Sequence, residues 1–348
     1  MTNFNNIFCN NIPLLDVRAA VEFKQGSFPN ATNLALLNDD QRHQVGLCYK
    51  QLGQDKAIEL GHQLITGELK SQRIKQWKTY CQNNPKAQLY CFRGGMRSHL
   101  VQQWLKNEGI NIHLIKGGYK AMRSYLLGIL QQPLKLLRIS GQTGVGKTDL
   151  LIQLNHMVDL EGLANHRGSA FGRHVSEQPS QIDFENQLAI EIIKKSQNKP
   201  KPIIIEDESR YIGSINLPKP FIQSMIDSPV ILLICPQQER INRIYKDYVI
   251  LQKQDYIKHH PENGGDLFNQ SLTIALEKIQ KRLGGVRYKH LNDTMQLALK
   301  QESEQLHKEW ISDLLKFYYD PMYNYQLEKK SNQIIFKGNK QAIKDYLS

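Results

Sequence analysis

Two short stretches of this chain carry residue types whose spacing can do chemistry. The first is Tyr90-Cys91-Phe92-Arg93-Gly94-Gly95-Met96-Arg97-Ser98. A cysteine followed by two glycines, set between an apolar run and a helical pattern, sits where successive backbone N–H groups converge on an anion. The same positive field favours a thiolate, so Cys91 reads as a nucleophile, with Arg93, Gly94, Gly95, Arg97 and Ser98 as its anion-holding loop. A lone cysteine is more often buried and inert, but the arginines and glycines crowding this one argue for reactivity. The second stretch is Gly141-Gln142-Thr143-Gly144-Val145-Gly146-Lys147-Thr148, which matches G-x4-G-K-[ST], the P-loop pattern. Gly141, Gly144, Val145 and Gly146 let backbone amides wrap a diphosphate, Lys147 reaches its terminal charge, and Thr148 can ligate Mg2+.

Both stretches need a strand before them and a helix after them. Ala87 to Tyr90 reads as the end of a buried strand, and Ser98 as the cap of a helix whose apolar positions are Leu100, Val101, Trp104 and Leu105. Leu134 to Ser140 reads as the strand entering the P-loop, and Leu150, Leu151 and Leu154 as the inner face of the helix leaving it. A third apolar run, Pro202 to Ile205, ends in Glu206-Asp207-Glu208-Ser209-Arg210, where a P-loop fold holds its metal or water; Asp207 or Glu208 is the candidate. Val230 to Ile234 is a further core strand. Glu239, Arg240 and Arg243 follow it, as in a basic lid segment or on a solvated helix face. Glu161 to Gly172 has glycines and no periodicity, so it reads as an ordered functional loop carrying His166, Arg167 and Ser169. Residues 266–317 are mainly helical in pattern. Phe317 to Tyr325 then concentrates four tyrosines, which suit a core or base stacking.

Toward the N-terminus, Ile12 to Val17 forms a strand pattern containing Asp16, followed by Arg18 and a helical segment through Glu22 and Phe23. A turn at Gly26 to Ala31 leads to a strand from Thr32 to Leu36. Residues 39–80 are helical in pattern, and Ile112 to Ile115 is a strand closed by Gly117-Gly118. Strands alternating with helices predict α/β architecture with parallel sheets.

The length of 348 residues accommodates two domains, 1–132 and 133–348, divided at Gln131-Gln132-Pro133. No apolar run approaches the length of a membrane span, and Met1 to Asn6 lack signal-peptide character. Five cysteines without metal-ligand spacing point to reduced thiols, so a cytoplasmic protein without a membrane anchor is expected. The net charge of +12 is uneven: residues 1–132 hold 16 Lys+Arg against 8 Asp+Glu. That excess suits a polyanion, although it also serves solubility.

Leu14-Leu15-Asp16-Val17-Arg18, the Gly26 to Asn33 turn, the Cys91 loop and Gly117-Gly118 together resemble a rhodanese domain, in which the loop cysteine carries a persulfide. The Cys91 to Arg97 spacing, Cys-x5-Arg, is that of cysteine phosphatases and suits a tetrahedral anion, with Tyr90 standing where those enzymes have histidine. The fold class expected is therefore an N-terminal rhodanese-like parallel α/β domain and a C-terminal P-loop NTPase-like α/β domain with a helical C-terminal part. Adding Asn165 to Ser169, Glu206 to Arg210 and Tyr318 to Tyr323, the chain resembles the tRNA 2-selenouridine synthase family over essentially its full length. That resemblance implies a transferase acting on wobble 2-thiouridine in tRNA. Geranyl diphosphate first alkylates the sulfur, and selenium from selenophosphate then replaces the geranylthio group. It implies that Cys91 carries or hands on selenium and that the P-loop holds diphosphate. Asp16, Arg18, His166, Arg167, Ser169, Asp207, Glu208 and Arg210 are supporting residues in this reading, with Thr148 and Asp207 holding any Mg2+. The partners implied are tRNA and a selenophosphate-supplying enzyme; no tightly bound cofactor is expected, and the chain is expected to be a monomer. The residues alone leave two other classes open. One is an ATP-dependent tRNA thiolation enzyme or RNA kinase with a rhodanese sulfur carrier, and the other a non-enzymatic tRNA-binding or sulfur-carrier protein.

Overall fold

Apolar runs too short for helices become the strands of two parallel sheets in a computed structural model that describes residues 3–197 and 201–347. The chain packs as two units. The first comprises residues up to Gln131 together with Ser180–Gln197, and the second the remainder.

In the first unit, β1 (Leu14–Asp16), β2 (Ala31–Asn33), β3 (Gln88–Tyr90) and β4 (His113–Leu114) form a parallel sheet in the order β2-β1-β3-β4. Asp16 is in register with Asn33 on one side and Tyr90 on the other, so the end of β1 meets the start of the Cys91 loop. All three β1 residues are buried, as a parallel strand covered on both faces requires. Trp77, Leu89, Val101 and Leu105 pack with Leu15 and Val17 in the core.

Residues 180–197, which the sequence places in the second domain, pack into the first. Helix Gln181–Ser196 buries seven side chains, among them Phe184, Leu188 and Ile192. Ser27 N donates to Asp183 Oδ1 at 2.7 Å, Arg123 Nη1 donates to Asn186 Oδ1 at 2.9 Å, and Arg123 also pairs with Glu185. A Cβ on Gly26 would lie 2.4 Å from Ile182 Cγ2, so the glycine is needed for close approach of this helix. A helix of this length can be apolar on one face without that pattern revealing which sheet it covers.

In the second unit, β5 (Leu136–Ser140), β6 (Met157–Val158), β7 (Ile203–Glu206), β10 (Val230–Leu233) and β11 (Ile334–Gly338) form a parallel sheet ordered β11-β10-β5-β7-β6. A small hairpin, β8 (Tyr211–Ile212) with β9 (Ile215–Asn216), follows β7. Central β5 is wholly buried and delivers the P-loop. Edge strands β6 and β11 left no strong mark in the sequence, the first being two residues long and the second only partly buried. The short P-loop helix, Lys147–Leu151, buries Leu150 and Leu151 and stops before Leu154, which packs against the same core from beyond the helix. Helices Gly264–Leu283, Gly285–Gln301 and Glu304–Leu314 surround a separate core containing Phe268, Leu276, Leu291, Met295 and Trp310. The expected fold class therefore stands, with its helical C-terminal part.

His307 lies inside that helical core and accepts Trp310 Nε1–H at 3.0 Å. Burial, reinforced by Lys253, holds its ring at a pKa of about 4 against the usual 6.5. Between these values the unfolded chain binds more protons than the native one, so stability is present above pH 6.5 and is lost as pH falls toward 4. His307→Gln keeps an acceptor for Trp310 and removes the titration. Comparing urea midpoints at pH 7 and 4.5, the variant should show an acid loss smaller than wild type's by on the order of 2 kcal/mol; equal losses would exclude His307 as the source.

Candidate thiol loop and diphosphate pocket

Cys91 is the first residue beyond β3 and is 3% exposed. Its carbonyl accepts from Tyr119 N at 2.9 Å, and Phe92's accepts from Lys120 N at 2.9 Å, so the turn at Gly117-Gly118 clamps the loop from behind. Gly94 (φ +66°) and Gly118 (φ +57°) make that contact possible: a Cβ on Gly118 would stand 2.2 Å from Cys91 O and 2.5 Å from Gly94 N. Asp16 and Arg18 are buried beneath. The Arg18 guanidinium pairs with Asp16 at 2.7 Å, donates to Gly26 O at 2.9 Å, and lies 3.9 Å from the centre of the Tyr119 ring. These two residues therefore act by holding the backbone that presents the thiol.

The helix after the loop, Met96–Asn107, begins with Gly95 at its cap position, so Ser98 is not the cap that the sequence suggested. Ser98 lies inside the first turn, buried. Its Oγ donates to Gly95 O at 3.0 Å and sits 3.3 Å from Cys91 Sγ. Arg97 donates to both oxygens of Glu22, at 2.6 and 3.1 Å. Burial opposes both charges, but the pair outweighs it, raising Arg97 and lowering Glu22. Sequence reading missed Glu22; its only local signal was its place in the helix following Arg18. Arg93 is exposed beside the Phe92 ring. Cys91, Arg93, Gly95 and Arg97 open on one cleft of about 790 Å³.

In the second unit, Gly144 (φ +77°) and Gly146 (φ +88°) shape the P-loop, and Lys147 Nζ donates to Gly141 O at 3.0 Å. Helix Gln237–Tyr245 braces this loop. Arg240, buried and paired with Asp320 at 2.5 Å, donates to Thr143 O at 2.9 Å, and Arg243 donates to Gly144 O at 2.5 Å. Arg240 is thus neither a lid residue nor solvated, while Arg243 lines the pocket of about 470 Å³ around the P-loop. His166, Arg167 and Ser169 line it too. Arg167 is held by Asp247 O at 3.1 Å and Ser169 by Tyr248 OH at 3.3 Å; burial, then the nearby His174, keeps the His166 ring below its usual pKa.

The acids divide differently from the sequence expectation. Asp207 takes Arg138 Nη1 at 2.8 Å, Ser140 Oγ at 2.7 Å and Lys330 Nζ at 2.8 Å. Burial alone would raise its pKa, but these partners lower it. With both oxygens committed, Asp207 holds the sheet end together and is not the partner of Thr148. That place falls to Glu161, whose Oε2 lies 3.4 Å from Thr148 Oγ1. Gly168 packs against Glu161 and Glu208 together, since a Cβ there would come within 2.5 and 2.9 Å of their oxygens. Burial, then the neighbouring Glu208, lifts Glu161 to about 8; burial also lifts Glu208, although Lys147 opposes both. Glu161 stood in the loop singled out from sequence, but no spacing rule pairs it with Glu208. Arg210 lies apart, donating to Asn216 Oδ1 at 3.1 Å beside the hairpin. Tyr319 is buried against the pocket and belongs to the core, while half-buried Tyr323 is tied by its OH to Ser140 Oγ at 3.2 Å.

A thiol loop on a parallel sheet in one unit and a P-loop in the other define a rhodanese-like domain fused to a P-loop domain. Family comparison agrees with both halves: residues 5–125 match the rhodanese-like domain, and residues 134–348 match the tRNA 2-selenouridine synthase AAA domain. The chain is similar to the tRNA 2-selenouridine synthase of Marinobacter nauticus, 48% identical over 99% of this chain and 96% of that protein. The synthase of Shewanella oneidensis is 47% identical over 99% and 94%, and that of Pseudomonas fluorescens is 46% identical over 100% and 97%. The chain belongs to the tRNA 2-selenouridine synthase family.

Gly118→Ala should destabilise the first unit by more than about 1 kcal/mol, because it adds left-handed strain to a backbone clash under Cys91. Gly128→Ala, in the same helix with nothing within 4 Å of its new Cβ, is the control and should be neutral or stabilising. Equal denaturation midpoints for the two variants would show that the Gly118 contact does not support the loop.

Proposed function

We propose that this chain converts wobble 2-thiouridine in tRNA to 2-selenouridine in two steps, using geranyl diphosphate and then selenophosphate. The observation that carries the reading is that each unit has its own glycine-shaped loop between strand and helix, one with a thiol and one with a P-loop lysine, in a member of this family. A thiocarbonyl sulfur is a poor leaving group. In the first step it attacks C1 of geranyl diphosphate, the C1–O bond breaks, diphosphate departs with the electron pair, and the base loses its N3 proton. Lys147 and the P-loop amides meet charge that grows on the leaving diphosphate.

In the second step, the selenium of selenophosphate, held beside Cys91 without an S–Se bond, attacks C2. The C2–S bond breaks, geranylthiolate leaves and takes a proton, C2=Se forms, and N3 regains its proton. Hydrolysis of the P–Se bond releases phosphate, so selenium enters and leaves at the selenide level and no oxidant or reductant is consumed. Arg93 and the loop amides face the selenophosphate anion, with Arg97 held by Glu22. The hydroxyl and carboxylate oxygens of Thr148, Glu161 and Glu208 are hard donors suited to Mg2+, which would neutralise diphosphate charge there. The tRNA backbone suits the basic excess of residues 1–132.

Mass spectrometry of product tRNA tests the division of labour. Lys147→Ala should lose geranylation by at least roughly a hundredfold, yet still selenate tRNA supplied with the geranylthio group. Cys91→Ala should accumulate geranylated tRNA and stop. ATP should be neither required nor hydrolysed in step with product. Failure of Lys147→Ala on pre-geranylated tRNA, with the protein folded, would assign the P-loop to both steps.

A further inference from the structure

The cleft at Cys91 is larger and more apolar than selenium delivery needs. Its floor is Leu36, Leu37, Ala57 and Ile65, all buried, and its walls come from helices Asp39–Leu52 and Gln54–Leu64. Helix Asp39–Leu52 fully buries none of its fourteen residues: Val45 packs partly against the core, and Leu47 stands exposed at the cleft. Leu47 is 43% exposed and Met96 is 52% exposed, and Phe92 joins them beside the thiol. Uncovered apolar side chains gathered into one concave surface mark a binding site. Exposed Arg42, Lys50 and Arg93 stand at the same surface.

The occupant must therefore combine an apolar body with a polyanionic surround and a reacting atom at the thiol end. Selenophosphate is small and charged and gains nothing from such walls. The pocket around the P-loop sets Lys147, Glu161, Glu208 and Arg243 beside Ile244, Tyr248 and Met322, so its charged groups suit the diphosphate. We propose that the Cys91 cleft seats the C10 chain of the geranylthio group, binding the modified wobble base by its own leaving group while C2 is presented to selenium. This rests on the two-step reading above. It adds that the alkyl chain is a recognition handle as well as an activator. An S-methyl group would then activate C2 but lack the anchor.

Anticodon stem-loop RNAs carrying S-geranyl- or S-methyl-2-thiouridine, titrated into the full chain by fluorescence anisotropy, test the seat independently of turnover. Wild type should bind the geranyl RNA roughly a hundredfold more tightly, given the apolar area to be covered. Leu47→Glu and, at the cleft-lining Ile58 of helix Gln54–Leu64, Ile58→Ser should each erase most of that preference without changing affinity for the methyl RNA, while Leu47→Met should retain it. A preference unchanged in both polar variants would overturn the assignment, as would equal losses for both RNAs, which would make the cleft a general RNA or nucleobase surface. Loss of geranylation of 2-thiouridine tRNA in the polar variants would also overturn it, placing geranyl diphosphate here in the first step. Product analysis with wild type and selenophosphate is read separately. If the pre-geranylated tRNA is bound with the expected preference but never selenated, the two-step reading fails while the seat survives.

Discussion

The pair between Asp16 and Arg18 is the constraint on which the thiol loop depends. Both side chains are essentially removed from water, yet their charges are satisfied: Arg18 meets Asp16 at 2.7 Å, the Gly26 carbonyl and the Tyr119 ring at once. Removing one member of such a pair leaves an uncompensated buried charge, at a cost of about 3–5 kcal/mol. The three groups that Arg18 gathers are also the ones that position the site. β1 ends in register with Tyr90, Gly26 receives helix Gln181–Ser196, and Tyr119 donates its amide to the Cys91 carbonyl. The thiol is thus presented by a backbone whose geometry is fixed by a charge pair that is buried and does not line the cleft at Cys91.

The second unit solves a similar problem with different residues. Its P-loop is held by arginines donating to loop carbonyls, Arg240 to Thr143 and Arg243 to Gly144, rather than by a pair under the sheet. Asp207 is drawn into a network with Arg138, Ser140 and Lys330, which ties β5 and β7 to the chain just before β11. The acid at the usual strand end is therefore occupied, and the charge facing Thr148 and Lys147 comes from Glu161 and Glu208. Placed together under burial, these two carboxyls favour sharing a proton in the absence of a cation.

Much of this was legible in the sequence because it rests on local chemistry. Glycines at positive φ in the two loops, apolar runs before them and helical spacing after them are properties of consecutive residues. What could not be read depended on pairing across the chain. Glu22 meets Arg97 over 75 residues and Asp183 meets Ser27 over 156, and neither partner carries a local signature of the other. Ser98 was misplaced as a cap because Gly95 can occupy that position equally well; its hydroxyl then turns toward the thiol. Residues 39–80 showed a helical pattern, but periodicity reveals apolar spacing and not whether protein fills the space opposite, so exposed Leu47 at the cleft could not be read from it.

Helix Gln181–Ser196 has a consequence for how the protein is made. The first unit is not a continuous stretch of chain: its last helix is encoded after the P-loop strand. During synthesis, residues 1–131 emerge with Ser27, Gly26 and Arg123 still lacking their counterparts, and 66 more residues must follow before the unit can close. At about 5–20 residues per second that wait is on the order of 3–13 s. Through that interval the nascent thiol domain has an open flank, and β5 and the P-loop helix emerge before the helix that closes it. A gene fragment ending at the apparent domain border would make that temporary state permanent.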